Sequence, residues 1–270
     1  MILEPNRSES NYWSDVWHYR ELFYILSWKE ISIRYKQTII GILWAIIRPV
    51  LAMVIFTFIF SKVAGLPSDG NTPYPILVYT AMLPWQFFSS AISSASASIV
   101  ANSSLITKIY FPRVIIPFSS IITSVIDFMI SLSILILLMF YYQYFPDWKI
   151  IFLPIFFIIA FFSTIGISLF ITALNVKYRD FKFIVPFIIQ FGLYVSPVGY
   201  SSSVIPDNLR FLYSLNPMVG VIDGFRWAVL GAESIIYLEG IVCSILFMIF
   251  FLVIGMRQFR SMEKTFADII

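Results

Sequence analysis

A helix rises 1.5 Å per residue, so about 20 consecutive apolar residues reach across a ~30 Å hydrocarbon layer. This chain holds six stretches of that kind, at roughly 39–61, 76–99, 114–140, 151–174, 183–200 and 236–256. The expected fold is therefore all-α and integral to a membrane, with six transmembrane helices. Two stretches are weaker than the rest. The second carries Ser89, Ser90, Ser93, Ser94, Ser96 and Ser98, small residues that suit packing inside a bundle. The fifth is short and closes at Ser196-Pro197. Composition points the same way: 59% of residues are hydrophobic and 12% charged, against roughly 25% charged in soluble domains. A compact soluble core of 270 residues cannot hide that much apolar surface.

Orientation follows from the basic residues. With the N-terminus inside, fourteen of the 18 Lys and Arg residues fall on inner segments. The outer segments hold Lys62, Lys149, Arg210 and Arg226. Both termini are thus expected on the cytoplasmic side. Glu4, Glu9 and Asp15 interrupt the first 20 residues, so no cleavable signal sequence is expected there. The chain reads as one membrane domain over 1–270: an interfacial helix at 11–36, a bundle at 39–256 and a cytoplasmic tail at 257–270.

The segments that do not span are distinctive. Residues 11–36 mix Trp13, Trp17, Tyr24 and Trp28 with Arg20, Glu21, Lys29, Glu30, Arg34 and Lys36. That pattern predicts an amphipathic helix at the headgroup level, serving as a membrane anchor or as a docking surface. Residues 101–113 form a short connection in which Ser103 or Ser104 caps a helix that Pro112 ends. Its Leu105, Ile106, Ile109, Tyr110 and Phe111 face lipid or enter a groove on another protein. Residues 198–233 hold two apolar runs too short to span, joined near Asn216-Pro217. They read as re-entrant outer helices between the fifth and sixth spans. Asp223 and Arg226, three apart, are expected to form a structural ion pair there.

Several chemistries are absent from the sequence. There is no G-x-x-x-x-G-K-[ST] loop, no H-E-x-x-H, no G-x-S-x-G, one cysteine (Cys243) and one histidine (His18). No cofactor, metal site, disulfide or nucleotide hydrolysis is expected in this chain. The small net charge of +3 gives no reason to expect nucleic acid as a partner. Asp127 is the one carboxylate well inside an expected span; proton coupling or a helix–helix hydrogen bond would each account for it. Aromatic residues make up 19% of the chain. Trp44, Phe56, Phe60, Trp85, Phe87 and Tyr194 are candidates to line a path for a sugar chain, whose C–H faces pack on aromatic rings.

Five segments carry a family resemblance. They are Trp28 to Trp44 followed by Arg48-Pro49, Leu105 to Arg113, Asn175 to Phe181, Ser214 to Met218, and Glu263 to Ile270. Taken in order, they resemble the type-2 ABC transporter permeases that export polysaccharides: O-antigen, capsule or teichoic acid. The resemblance implies a homodimer in the inner membrane of a bacterium, paired with two copies of a separate ATPase subunit that binds ATP and Mg. It implies a lipid-linked glycan as cargo, most specifically O-antigen. It makes 101–111 a coupling helix, with Ser104, Leu105, Lys108, Ile109, Tyr110, Phe111 and Arg113 meeting the ATPase. Trp17, Arg20, Glu21, Lys29, Arg34 and Lys36 of the interfacial helix would contact that subunit too. Asn216, Pro217, Asp223 and Arg226 would belong to the outer re-entrant element.

Three other functions compete. An ion-coupled secondary transporter would show several intramembrane charges or two related halves, and the sequence shows one acid and no repeat. A membrane transferase would need clustered acids or a histidine base, where only Asp207, Asp223 and Glu233 are scattered through the outer loop. A permease of the same type that exports a small molecule shares the compact layout, and the five segments favour glycan over it.

Overall fold

The computed structural model describes residues 12–36, 41–231, 234 and 236–269. Glu4, Arg7, Glu9 and Asn11, the 37–40 part of the N-terminal segment with the start of the first expected span, Glu233 and Ile270 lie outside the described residues. All regular structure among the described residues is helical. The order is α1 (Tyr12–His18), α2 (Arg20–Tyr35), α3 (Gly41–Thr57, prolonged by a π turn Phe58–Val63), α4 (Tyr74–Ala101), α5 (Ser103–Ile106) and α6 (Ile115–Tyr141). A 3₁₀ turn Trp148–Phe152 leads into α7 (Leu153–Lys177), followed by α8 (Phe181–Val195), α9 (Asp207–Ser214), α10 (Pro217–Leu230), α11 (Leu238–Glu263) and α12 (Phe266–Ile269).

Among the described residues four helices, not the expected six, are long and apolar enough to cross a membrane: Leu43–Val63, Ile115–Tyr141, Trp148–Lys177 and Leu238–Glu263. Each of the two losses has a physical cause. Helix α4 has ample length, 28 residues or ~42 Å, but its serine-rich second half is too polar for a lipid-facing span. Most of α4 is buried, walled by α3, α6, α7, α8 and α10. It is the axis of the bundle. Helix α8 has only 15 residues, ~22 Å of rise. It ends because Pro197 disfavours helical geometry at Ser196, which is extended at φ −91° and ψ 150°.

Several polar groups of α4 find partners inside the bundle. Ser98 Oγ donates to the Ala95 carbonyl at 2.7 Å. Thr172 of α7 donates to the same carbonyl at 2.9 Å, and Asn175 Nδ2 to that of Ser96 at 2.7 Å. Around the axis lies an aromatic core. Phe87 of α4 meets Phe157 of α7 at 5.2 Å between ring centroids, Phe157 stacks on Phe128 of α6 at 4.3 Å, and Phe225 of α10 meets Phe128 edge-on at 6.1 Å.

Helices α7 and α11 pack along much of their length, and two glycines permit it. A Cβ on Gly255 would lie 2.1 Å from the Gly166 carbonyl oxygen, and one on Gly166 would lie 2.5 Å from the Leu252 nitrogen. The obstacle in each case is backbone, which cannot swing aside. Gly255→Ala is accordingly expected to destabilise the folded protein by about 1–3 kcal/mol. The check is a lower thermal midpoint in detergent; an unchanged midpoint would remove the crossing from the account.

Candidate functional site

Functional features gather at the two ends of α4 and in a cavity on its flank. The end that carries the N-terminal helices, residues 101–113 and the C-terminal tail is here the tail pole. The end that carries residues 196–231 is the loop pole.

At the tail pole Asn102, just past α4, accepts from Lys29 Nζ of α2 at 3.2 Å. Helix α5 is a single turn, and the chain beyond it is held by Glu263 at the end of α11. Glu263 Oε1 accepts from the Arg113 backbone N–H at 2.6 Å, and the Arg113 guanidinium donates to the Glu263 carbonyl oxygen. Glu263 Oε2 accepts from the Tyr12 hydroxyl at 2.9 Å. Burial, then the charge of Glu263, pushes the Tyr12 hydroxyl well above its ordinary pKa, so it stays a donor. One carboxylate thus ties α1, the 103–113 segment and α11 together. Phe266 of the tail meets Phe259 edge-on at 5.3 Å. Of the residues expected to meet a partner, Ser104, Lys108, Ile109 and Tyr110 are exposed, Leu105 and Arg113 half-buried, and Phe111 buried. Phe111 anchors the turn inward while Ile109 and Tyr110 project from it.

Helix α2 packs against α6 with Tyr24, Ile25 and Trp28 exposed, and Trp17 of α1 is exposed as well. Glu21 and Lys29 are exposed as well, Arg20 also, with its guanidinium over the Trp17 ring at 5.4 Å, and Lys36 ends the helix exposed. The last turn of α2 resolves the lone acid of α6. Arg34 pairs with Asp127 Oδ2 at 2.8 Å, and the Tyr35 hydroxyl donates to Asp127 Oδ1. Asp127 therefore holds two helices together. Beside it lies a cavity of about 480 Å³, lined by Arg34, Tyr35, Trp44, Arg48, Gln86 and Asp127 among others.

The six candidate path aromatics do not share one surface. Trp44 and Phe87 line the cavity, Trp44 half-exposed and Phe87 deep in the aromatic core. Phe56 and Phe60 meet at 5.6 Å, and Phe60 lies 6.2 Å from Tyr200 near the loop pole. Trp85 is buried against Gly192 of α8, and Tyr194 is exposed on α8.

At the loop pole α9 and α10 are two short helices joined at Leu215-Asn216. Asn216 caps α10 by accepting from the Met218 N–H at 3.0 Å, and its Nδ2 donates to Ser196 Oγ at 2.9 Å. Pro217 follows as the first helical residue, where the missing N–H costs nothing. Arg226 is fully buried but, among the described residues, forms no ion pair with Asp223, contrary to expectation. Its guanidinium donates to the carbonyls of Tyr200 at 2.7 Å, Val198 at 3.3 Å and Leu77 at 3.4 Å. Asp223 instead accepts from Ser202 Oγ at 2.6 Å. The three-residue spacing was readable in the sequence. The competing carbonyls were not, because they lie 26, 28 and 149 residues away.

Comparison with known proteins gives a consistent set. The family described as ABC-2 type transporter matches residues 21–230. An O-antigen export system permease protein RfbA of Klebsiella pneumoniae is 30% identical over 260 residues, covering 93% of this chain and 95% of its own length. The protein of that description from Myxococcus xanthus is 28% identical, covering 78% and 81%. The polysialic acid transport protein KpsM of Escherichia coli is 24% identical, covering 87% and 91%.

Burial pushes the Asp223 carboxyl up to about 6, against pulls downward from the Ser202 hydroxyl and the Arg226 charge. A raised carboxyl pKa favours the protonated fold, so its stability contribution is complete below about 4 and is lost as pH rises through 6. Asp223→Asn should remove that slope: the difference in thermal midpoint between variant and parent should change between pH 4 and 6.5 and stay level above. A level difference throughout would refute the assignment.

Proposed function

We propose a function from one premise: this chain belongs to the ABC-2 type transporter family. It is a multi-pass membrane permease homologous to polysaccharide-export proteins, and a non-catalytic subunit rather than an enzyme. The proposal is that it carries a lipid-linked polysaccharide across the cytoplasmic membrane of a bacterium, with O-antigen as the cargo class. The two Klebsiella relatives, both O-antigen export permeases aligned over 93% of this chain, support that class. The polysialic acid transport relatives make a capsule polymer the second reading.

ATP is hydrolysed, in this reading, by two copies of a separate nucleotide-binding subunit docked on a permease homodimer. The outward apolar faces of α3 and α8, where Leu51, Val54, Ile55, Phe187 and Phe191 are exposed, supply a surface for the second copy. Both termini and residues 101–113 lie on the cytoplasmic side, a placement supported by the bias of basic residues. The observation that carries the docking is the exposed Ile109-Tyr110 pair on a turn fixed by buried Phe111 and by Arg113. An apolar pair on a rigid mount is suited to a groove on a partner, and a push on it reaches α11 and α1 through Glu263. Movement of that rigid group against the rest of the bundle would open a path.

Two experiments test this. Replacing Ile109 and Tyr110 together by Asp should abolish co-purification of the ATPase while the permease still inserts. Phe111 must be left in place, because its loss would damage the fold. A double variant that retains its ATPase and its export would sink the coupling role. Separately, Trp44→Ala should lower surface glycan several-fold with ATPase binding intact. Unchanged surface glycan would take Trp44 out of the path.

A further inference from the structure

The cavity between α2, α3, α4 and α6 has a charge balance that its own residues do not close. It holds two guanidinium groups, Arg34 and Arg48, and one carboxylate, Asp127. Both oxygens of Asp127 are engaged, one by Arg34 and one by the Tyr35 hydroxyl. Arg48 is the surplus cation. It lies inside the apolar stretch Leu43–Val63, where an arginine costs about 2.5–3.5 kcal/mol on insertion scales.

The setting of Arg48 suits a ligand. Its guanidinium lies over the Trp44 ring at 5.6 Å to the centroid, a contact through its face that leaves the N–H edge available. Gln86 of α4 lines the same cavity and carries an amide. Among the described residues neither Arg48 nor Gln86 makes a side-chain hydrogen bond. Trp44 and Arg48 are exposed, so the cavity opens sideways along α3. Its volume of about 480 Å³ falls within the usual range for small-molecule sites. That suffices for a phosphate and one sugar ring, and is far too small for a polymer.

We infer that this cavity seats the phosphate or diphosphate that joins the cargo's lipid to its first sugar. This rests on the reading of the chain as a permease for a lipid-linked glycan. Arg48 and Gln86 donate to the phosphate oxygens, and the planar fork of the guanidinium matches them in pairs. Trp44 packs on the adjoining sugar ring. Asp127 is kept out of the way by Arg34 and Tyr35, so it does not repel the anion.

A phosphate could equally be presented by a bulk phospholipid headgroup, and the test separates the two. The permease with its ATPase, in nanodiscs of phosphatidylcholine alone, is titrated with radiolabelled geranylgeranyl diphosphate, and with geranylgeraniol as the uncharged control. Saturable binding of the diphosphate only is expected, weakened at least about tenfold by Arg48→Gln and partly restored by Arg48→Lys. Phosphatidylglycerol in excess should not displace it. Equal affinity of the Gln variant and the parent overturns the inference, and so does full displacement by phosphatidylglycerol, which would make the cavity a general lipid anchor. ATPase that still co-purifies with Arg48→Gln excludes misfolding as the cause. Failure of the unmutated chain to bring down an ATPase would count instead against the transporter reading.

Discussion

A polar group in apolar surroundings must find its partner within the chain, because water is not at hand, and this requirement organises the bundle. Its clearest expression is Arg226. Residues 196–201 leave helical geometry in the interior, which exposes carbonyls that a helix would have bonded. Arg226 takes up two of them, at Val198 and Tyr200, and reaches the start of α4 at Leu77. Tyr74 takes the carbonyl of Gly199 at 2.8 Å. Asn216 and Ser244 close the break between α9 and α10, Ser244 donating to the Pro217 carbonyl at 2.7 Å. A buried guanidinium is tolerable here because its hydrogen bonds replace those it had in water. The irregular backbone is tolerable because the guanidinium is there. Neither would stand alone.

The same requirement makes α11 the link between the two poles. At the loop pole it approaches α10 so closely that a Cβ on Gly220 would lie 2.1 Å from the Gly240 carbonyl oxygen. Along its length it packs on α7 across Gly166 and Gly255. At the tail pole it ends in Glu263, which holds α1 and the 103–113 segment. Close backbone contacts of this kind slide or rock as units, since packed cores do not deform continuously. A displacement of the exposed Ile109-Tyr110 turn therefore has a stiff route to the far end of the molecule.

Much of this was legible in the sequence, and the failures have physical causes. Apolar length found α3, α6, α7 and α11, because lipid exposure demands hydropathy over the whole run. It failed for α4 and α8, where neighbouring helices rather than lipid set the composition. The serine-rich half of α4 was nonetheless expected to pack inside the bundle, and Ser96 and Ser98 are buried there. Local signals were read correctly where the partner is local: Asn216 and Pro217 announce the start of α10. Long-range partners left no trace. Nothing near Asp127 in sequence indicates that Arg34 and Tyr35, about ninety positions earlier (92 for Tyr35), would engage it. Nothing in the tail motif shows that Glu263 would reach Arg113 and Tyr12.

The interior of the bundle also explains why a polymer path is hard to recognise from composition. A rigid binding site gathers polar groups that point at one ligand, whereas here the central polar groups point at the backbone. Ser98, Thr172 and Asn175 all bond carbonyls of α4, and the aromatic cluster of Phe87, Phe128 and Phe157 is closed on itself. The core of the single chain is thus largely turned in on itself. Its unengaged surfaces lie outside, on α3 and α8, and Trp44, Arg48 and Tyr194 all belong to those two helices. On the reading proposed above, a passage for a long hydrophilic chain would form beside α3 and α8, between this copy and a second one. That proposal would place selectivity at the edge of each subunit and leave the core free to act as the lever.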